Sequence, residues 1–383
     1  MKRCWLVLST IIGFILLIGS CAPKAEPQPK PAQVIPAIPQ TVSTPSAITA
    51  SPDEVAWATI IQAAKKEGKV TVYSFSMSGD VGLAVSRSIE QKYGIKLEII
   101  TAGSGAALGE RINTEKRMGT LVADIMDSNT LQIGNIKSQG TTASSQEISV
   151  LQERGVWTVE PWANDPEKHI LIHSLQYSGN IINTNLVKAG EEPKSLKELT
   201  ASKWIGKMVY LDPKMSSSAS MYWLTMLRRK LIDQDIVQEI GKGIRFTSTS
   251  FDSAQALMQG QYALMPAGST RAISPYLIQE PSLPIKAFDI PEGTIVGANA
   301  IAAIKNGPHP NAARLLINWL LTQEGQTIFI KVQGMTPVRK DVPDFVPAPL
   351  RIVPTRVVLP TMEEERENSR LFQEGWLAKL WGR

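Results

Sequence analysis

Cysteine is nearly absent from this chain of 383 residues. It occurs twice, as Cys4 and Cys21, and the sequence beyond position 21 contains none. A disulfide framework, a zinc site with cysteine ligands and a buried catalytic thiol are therefore excluded from the body of the protein. Histidine is also scarce, with three residues in the whole chain. Both shortages narrow the chemistry that the body can perform.

The chain also lacks a strong excess of either charge. It carries 40 Lys and Arg against 35 Asp and Glu, a formal net charge of +5, and it has neither a basic tract nor an Arg-Gly-Gly segment. Nucleic acid is therefore not an expected partner. With 43% apolar and 20% charged residues, the composition is that of a globular protein with a hydrophobic core. The length suits two domains of roughly 100–200 residues each.

Common catalytic signatures are missing as well. Gly-x-Ser-x-Gly, Ser-x-x-Lys, His-Glu-x-x-His and the Walker A motif do not occur, which argues against hydrolysis and nucleotide turnover. A Gly-x-Gly at 103–105 imitates a dinucleotide fingerprint, but its third glycine, Gly109, comes one position too late. His169 and His173 would lie about 13 Å apart on an expected strand, too far to share a metal. We therefore expect no enzyme, no cofactor and no metal site.

The N-terminus predicts export and a membrane anchor. Two basic residues precede an apolar run, Trp5–Ile18, which is shorter than the roughly 20 residues of a membrane-spanning helix. Residues 1–20 are therefore assigned as a signal peptide. The run ends in Leu17-Ile18-Gly19-Ser20-Cys21, which resembles the lipobox of bacterial lipoproteins and implies lipidation of Cys21. A plain secretory signal with an incidental cysteine is the alternative.

Residues 21–50 predict a flexible tether. Seven prolines between 22 and 50, with Ala, Gln, Ser and Thr among them, leave too little apolar surface for folding. The folded body is therefore expected outside the cytoplasm, held by the lipid on Cys21 to a bacterial membrane, at the cell surface or in the periplasm.

From residue 51 onward, the hydrophobic periodicity alternates between helix and strand. The first set predicts strands at 70–75, 95–101 and 121–126 and helices at 52–64, 80–93 and 106–118. The second set predicts strands at 207–211, 262–265 and 298–304 and a helix at about 219–231. This alternation is typical of a mostly parallel sheet with helices on both faces. Two such sets, joined by more than one crossing, predict an α/β protein with two lobes and a cleft.

The C-terminal tail predicts one more helix, from about Thr361. Glu363, Glu364 and Glu365 would lie in its first turn, where the helix dipole favours negative charge. Apolar residues follow, and we expect this helix to pack on the second lobe.

Short motifs occur in a fixed order between residues 57 and 342. They include Ala63-Ala64-Lys65-Lys66-Glu67-Gly68, Ala123-Asp124-Ile125, Asn183-Thr184-Asn185, Trp204-Ile205-Gly206-Lys207, His309-Pro310-Asn311-Ala312-Ala313-Arg314 and Thr336-Pro337-Val338-Arg339. In this order they resemble the extracellular solute-binding proteins of bacterial ABC importers, in particular those of the ferric-iron type.

The resemblance implies a type II periplasmic-binding-protein fold. In it two lobes, each a mixed sheet flanked by helices, close on a ligand by hinge motion. The implied lobe 1 comprises 51–176 and 290–335, and lobe 2 comprises 177–289 and 336–383. A small-molecule ligand, delivery to an ABC permease in the cytoplasmic membrane and a monomeric state are also implied. A ligand-sensing receptor that reports to a sensor kinase is an alternative within the same fold.

The chain departs from the iron-binding members of that family. These members use a histidine after the first strand, a glutamate after the third and two adjacent tyrosines in the second lobe. Here the corresponding segments are Ser74–Met77, Asp127–Asn129 and Ala263–Ser269, and they contain none of those ligands. Ferric iron requires anionic oxygen ligands, so we do not expect an iron site. A ferric-iron or metal-chelate receptor without the tyrosines stays open as an alternative.

Three turns rich in serine and glycine form the predicted ligand site. Such turns lie at the carboxyl ends of strands, where ligands bind in open α/β sheets, and the helix N-termini there favour anions. The predicted ligand-binding residues are Ser74, Phe75, Ser76, Ser78, Gly103, Ser104, Ser217, Ser218, Ala219, Gly268, Ser269 and Arg271. Serines that act only as helix caps are the alternative.

Arg271 is the leading candidate for a cationic ligand contact. A helix terminus contributes about 0.3–1 kcal/mol, up to ~2 when partly buried, whereas a micromolar receptor needs about 8 kcal/mol. Three termini fall short, so a cationic side chain should contribute. Arg111 and Arg245 are weaker candidates, and Phe75 and Tyr177 are expected to line the cleft. The predicted ligand is a small, organic anion.

Overall fold

A computed structural model describes residues 52–102, 104–215 and 217–383, with the backbone alone at 52–54 and 217–219. The predicted signal peptide, tether and lipidated Cys21 lie outside these ranges, as does Gly103 of the predicted ligand site. None of the described helices is long and apolar enough to cross a membrane.

The described strands belong to one mixed sheet. They are β1 (Lys69–Ser74), β2 (Lys96–Thr101), β3 (Ile125–Asn129), β4 (Leu171–Asn183), β5 (Met208–Leu211), β6 (Ile244–Thr247), β7 (Leu264–Ser269), β8 (Ile285–Phe288), β9 (Thr294–Ala303), β10 (Thr336–Pro337) and β11 (Val357–Val358). Their main order is β2-β1-β3-β9-β4-β7-β5-β6.

Helices separate most of these strands along the chain. They are α1 (Pro52–Glu67), α2 (Gly79–Tyr93), α3 (Gly105–Met118), α4 (Thr130–Ser138), α5 (Ser217–Arg228), α6 (Gln234–Gly243), α7 (Ser250–Met258), α8 (Ser274–Gln279), α9 (Pro310–Leu321), α10 (Gln323–Gln333), α11 (Met362–Gln373) and α12 (Trp376–Leu380). The predicted alternation of strand and helix is therefore confirmed.

A parallel block lies at each end of the sheet, and two long strands join the blocks. β1 pairs in parallel with β2 and β3, and β5 pairs in parallel with β6 and β7. Between the blocks, β9 and β4 are antiparallel to each other and to their outer neighbours, β3 and β7. β8 and β10 pair with β4, and β11 pairs with β9. The crossing strands that the sequence predicts between two α/β sets are thus β4 and β9.

Each parallel block has its own hydrophobic core. Alternate residues of β1 and β3 enter two clusters on opposite faces of the sheet, one containing Val72 and the other Tyr73. We call these two clusters together the first core. The second core surrounds β5 and β7 and includes Trp223 and Trp381. Strands buried on both faces are typical of parallel sheets covered by helices.

Two strand boundaries differ from the sequence prediction. The third strand spans 125–129 and not 121–126, because the Asp124 carboxylate accepts a hydrogen bond from the Thr71 N–H at 2.8 Å and from the His309 N–H. Asp124 therefore links β1, through Thr71, to His309 at the start of α9. β4 begins at Leu171, so His169 lies before it, and the expectation that His169 and His173 lie on the same strand is wrong.

The predicted lobe boundaries stay a prediction, although the packing bears on one of them. Val338 lies in the first core, whereas Val346 and Leu350 lie in the second. The chain therefore passes from one core to the other between 338 and 346, some residues after the predicted boundary at 336.

Candidate functional site

The turn that follows β1 is fixed by Asp127 on the neighbouring strand β3. Asp127 accepts hydrogen bonds from the Ser74 hydroxyl, from the Ser76 hydroxyl at 2.5 Å and from the Ser76 N–H at 3.1 Å. The Ser74 hydroxyl in turn accepts the Met77 N–H at 2.7 Å. Two of the predicted ligand-binding hydroxyls are therefore used inside the protein, where they hold the turn in place.

His173 of β4 completes the support of this turn. Its Nε2 lies 2.8 Å from the Asp127 carboxylate, and neither side chain is exposed. Its Nδ1 has no hydrogen-bond partner among the described residues, and the ring meets Phe329 edge-on at 4.9 Å. A hydrogen on Nδ1 would be a buried, unpaired donor, so the geometry assigns the proton to Nε2.

Asp127 is a buried anion whose two oxygens are already engaged. Burial disfavours the charge, but the hydrogen bonds from His173, Ser74 and Ser76 outweigh burial and hold the pKa of Asp127 below its ordinary value. Its role is to position the turn, because both of its oxygens are buried and accept hydrogen bonds from the protein.

Arg271 places a guanidinium group over Phe75, in the middle of the same turn. The guanidinium carbon is 5.1 Å from the ring centroid, and Phe75 is 37% exposed. No described residue gives the half-buried Arg271 a hydrogen bond or an ion pair. Burial lowers the pKa of Arg271, while the more distant charge of Asp127 acts in the opposite direction. The site therefore contains a cation without an anion in contact.

The part of the molecule around the first core and the part around the second core are called its two halves, and Phe75 and Arg271 come from opposite halves. Met77, two residues after Phe75, lies in the first core, and Ala272 and Ile273, directly after Arg271, lie in the second. Nearby, the Ser274 hydroxyl donates to the Gly334 carbonyl at 2.9 Å. The predicted site residues Phe75 and Arg271 thus meet where the two halves meet.

The half-buried Tyr177 lies on β4, next to this junction. Its carbonyl accepts the Thr270 hydroxyl at 3.1 Å, and its ring packs against the first core. Burial raises the pKa of Tyr177, and the charge of Asp344 adds to that effect. Tyr177 is therefore a neutral phenol beside the residue that precedes Arg271.

In the other turns, two of the predicted serines occupy helix-cap positions. Ser104 caps α3 by accepting the Ala107 N–H at 3.2 Å, in agreement with the alternative that it is a helix cap. Ser78 occupies the cap position of α2 without a capping bond. Residues 217–219 form the first turn of α5, and their part in ligand binding stays a prediction.

The β7 segment contains no tyrosine and has an unusual backbone. Ala267 adopts φ +50°, a left-handed conformation that is uncommon outside glycine. At Gly268 a Cβ would lie 2.5 Å from the Met265 side chain, so the chain is tightly packed there. Ser269 follows at the end of β7 and pairs with Ser178 of β4. This segment delivers Arg271 to the junction.

The two weaker arginine candidates lie elsewhere. Arg111 forms an ion pair with Glu115 at 3.0 Å and covers the Tyr73 ring at 4.8 Å. Arg245 is an exposed residue of β6. Of the three arginines considered from the sequence, Arg271 is thus the one that lies at the junction with no hydrogen bond or ion pair to any described residue.

The histidines serve structural contacts in the described part of the chain. His169 contacts the Thr142 hydroxyl at 2.9 Å, and His309 contacts Asp124 at 2.8 Å. Among the residues that the structure describes, no three His, Cys, Asp or Glu side chains are grouped so that they could hold a metal ion.

Asp127, His173 and Ser128 are the site residues that sequence reasoning missed. The Ser128 hydroxyl is buried without a hydrogen-bond partner in the described residues and faces the start of α3, where a Cβ on Gly105 would lie 2.0 Å from it. An aspartate directly after the apolar pair Ile125-Met126 was the available signal, because a charge at a buried strand end requires internal partners.

Comparison with known proteins identifies the family of the chain. A family model described as bacterial extracellular solute-binding protein matches residues 84–350, well over half of the chain. No curated protein matches the sequence.

Several solved structures share the fold. Iron-bound HitA from Pseudomonas aeruginosa is 16% identical with a TM-score of 0.63. The match covers 80% of this chain and 98% of the HitA chain. The Trichodesmium protein IdiA (FutA), in complex with iron and citrate, is 20% identical with a TM-score of 0.67, covering 82% and 99%. AfuA from Actinobacillus pleuropneumoniae, with exogenous fructose-6-phosphate, is 16% identical with a TM-score of 0.62, covering 82% and 98%. These likenesses confirm the predicted two-lobe α/β fold.

Proposed function

The chain belongs to the bacterial extracellular solute-binding proteins, and from this premise we propose that it captures a small organic anion between its two halves. The family implies a small-molecule ligand, a permease of an ABC importer as partner and a location outside the cytoplasm. The single observation that carries the anionic character of the ligand is the guanidinium of Arg271, which lies over Phe75 and has no ion-pair partner among the described residues.

The energetics of Arg271 support an anion. A charge removed from water is costly unless it is paired, and the charge of Asp127 is already satisfied by other donors. A carboxylate or phosphate that accepts two hydrogen bonds from the guanidinium would supply the missing partner. The guanidinium lies over the Phe75 ring, and its N–H groups donate to no described residue, so they are available to a ligand. The Phe75 ring also offers apolar surface to the organic part of the ligand.

Ferric iron is a weaker proposal for this chain. HitA and IdiA are described with iron. In this chain, however, β7 has no tyrosine, and Asp127 already accepts hydrogen bonds from His173 and two serines. AfuA is described with a sugar phosphate, so members of this fold take anionic organic ligands too. We assign the protein to binding and not to catalysis.

A thermal-shift panel tests the ligand class. We expect carboxylates, phosphonates or phosphate esters to raise the melting temperature of the full-length protein, because they pair with Arg271. At a ligand concentration of 100 times Kd the stabilisation would be about 2.7 kcal/mol. Ferric citrate, neutral sugars and divalent cations serve as comparison compounds. Stabilisation by cations or neutral sugars alone would contradict the proposal.

A lipid on Cys21 is proposed as the anchor of the protein. Substitution Cys21→Ala should release the protein from the membrane fraction, because one thioether-linked lipid group supplies the attachment. Fractionation of expressing cells followed by immunoblotting measures this release, and Cys4→Ala is the matched control that should leave the attachment intact. Membrane attachment of Cys21→Ala at the wild-type level would contradict lipidation at this residue.

Import is the proposed use of the captured solute. The family places the protein with ABC importers, and a body tethered to the membrane would stay within reach of a permease. A receptor for a sensor kinase is the alternative role of the same binding event, and deletion of the permease distinguishes the two, since uptake would stop only in the import case.

A further inference from the structure

Helix α11 joins the two halves of the molecule. The sequence predicts that it packs on the second lobe alone, and this is incomplete, because α11 contacts both α5 and α4. α5 contributes to the second core and α4 to the first. The segment matched by the family model ends at residue 350, so α11 lies beyond the matched part of the chain.

The contact of α11 with α5 is made by strong, charged and polar bonds. Arg229, directly after α5, donates to both carboxylate oxygens of Glu364 at 2.8 and 2.7 Å. Asn368 donates to the Thr225 hydroxyl at 2.9 Å. A bidentate arginine–carboxylate pair is among the stronger ion-pair geometries. We therefore expect α11 to stay attached to α5 over the ordinary pH range.

The contact with α4 is of a different kind. The Thr130 hydroxyl, at the first residue of α4, lies 2.9 and 2.8 Å from the two oxygens of Glu365. Glu365 is 8% exposed, and Thr130 is its one hydrogen-bond donor among the described residues. Met362 packs against Gly134, where a Cβ would lie 2.2 Å from the Met362 Cε. One hydroxyl cannot compensate a buried negative charge, whereas a protonated carboxyl fits this environment.

No cation on the neighbouring helices neutralises Glu365. The charged groups on and directly after these helices are Arg228 at the end of α5, Arg229 directly after it, Lys137 of α4, Lys379 of α12 and, on α11 itself, Glu363, Glu364, Arg366, Glu367 and Arg370. Arg229 pairs with Glu364, Arg228 and Arg370 with Glu367, and Lys137 with Asp165 and Glu167. Burial raises the pKa of Glu365 to about 7, the Thr130 hydrogen bond lowers it in part and the charge of Glu364 raises it further.

We propose that α11 is a proton-dependent clasp between the two halves, permanently attached to α5 and attached to α4 while Glu365 is protonated. Thr130 directly follows Asn129, the end of the strand that carries Asp127, and α5 begins at the predicted ligand-binding residues 217–219. The clasp therefore joins a helix that follows the strand of Asp127 to a helix that begins at predicted ligand-binding residues. Its effect on ligand capture rests on the proposed function, whereas its existence does not.

The direction of the pH effect follows from linkage. The ordinary glutamate pKa is 4.5, and that of Glu365 with α11 in place is about 7, so the attached state binds its proton more tightly than the open state. Raising the pH from 6 to 8 should therefore make opening of the α4 contact about tenfold more favourable. Below pH 4.5 Glu365 is protonated in both the attached and the open state, so its contribution to the stability of the α4 contact no longer changes with pH.

Hydrogen–deuterium exchange of the full-length protein in detergent tests the clasp. After correction for the intrinsic rate, wild-type exchange in 130–138 and 362–366 should rise about tenfold between pH 6 and 8. Glu365→Gln, a neutral side chain of the same shape, should remove that rise. Glu363→Gln, an exposed neighbour in the same helix turn, is the matched control and should keep it.

Three results would overturn the proposal. They are a wild-type rise of less than twofold, the same rise in Glu365→Gln, and loss of the rise in Glu363→Gln. If Glu365→Gln does not fold, the wild-type pH series decides alone. The measurement needs no ligand, so its failure leaves the proposed anion site untouched, and failure of the anion screen leaves the clasp untouched.

Discussion

Substitution Arg271→Gln should lower the affinity for the proposed anionic ligand about 100-fold. A hydrogen bond to a charged group is worth about 1.5–3 kcal/mol, and each 1.4 kcal/mol is about tenfold in Kd. The glutamine retains a hydrogen-bond donor but removes the charge that the ligand neutralises. Titration calorimetry with the anion found by the thermal-shift panel measures the loss.

The same substitution should stabilise the protein when no ligand is present. Arg271 has no bonded partner among the described residues, so its removal relieves the cost of holding a charge away from water. Arg245→Gln, at an exposed position on β6, is the matched control and should change neither affinity nor stability. A wild-type affinity in Arg271→Gln, or lower stability combined with unchanged affinity, would show that this guanidinium has only a structural role.

Substitution Asp127→Ala should cost about 3–5 kcal/mol of unfolding free energy, because it removes one partner of a buried charged network. Without the carboxylate, the donors of His173, Ser74 and Ser76 lose their acceptor in a region with no exposure to solvent. Urea denaturation measures the effect. Asp127→Asn keeps one acceptor oxygen and should lose less, and a cost below 1 kcal/mol for Asp127→Ala would contradict the assigned positioning role.

The network also fixes the sign of acid sensitivity. The pKa of Asp127 is held below its unfolded value of 3.8, so its contribution to stability is fully present above that value. It is lost as the pH falls through the lower, folded-state pKa. Above pH 4 the opposite trend, from Glu365 with its raised pKa, lowers stability as the pH rises toward 7. The two carboxyl groups therefore narrow the pH range of highest stability from both sides.

Much of the fold could be predicted from periodicity. β1, α2 and β2 lie within a residue or two of their expected positions, since local alternation and terminal glycines such as Gly94 are encoded in the segment itself. The start of β3 could not be predicted, because it depends on Asp124 bonding to Thr71, 53 positions away. Local patterns contain no information about such distant acceptors.

Phe75 was expected in the cleft from the turn after the first strand, and Arg271 from its position just after the segment where the iron-binding members carry their tyrosines. The structure brings these two side chains together, but the hydrogen bonding of the turn could not be predicted. The hydroxyls of Ser74 and Ser76 were expected to face the ligand, yet they donate to Asp127, because a buried carboxylate competes for the nearest donors. The second contact of α11 could not be predicted either. The sequence shows Glu365 only as a glutamate in the first turn of a helix and does not show that Thr130 lies beside it.

The central claim is that this protein captures a small organic anion at Arg271. Native mass spectrometry of the full-length protein, released from detergent micelles, tests it most directly in wild type and Arg271→Gln. We expect the wild type to retain an organic acid or phosphate ester of defined mass, and the variant to retain less than about one tenth as much, in line with a 100-fold weaker Kd. A bound iron ion or neutral sugar, retained equally by both proteins, would contradict the account.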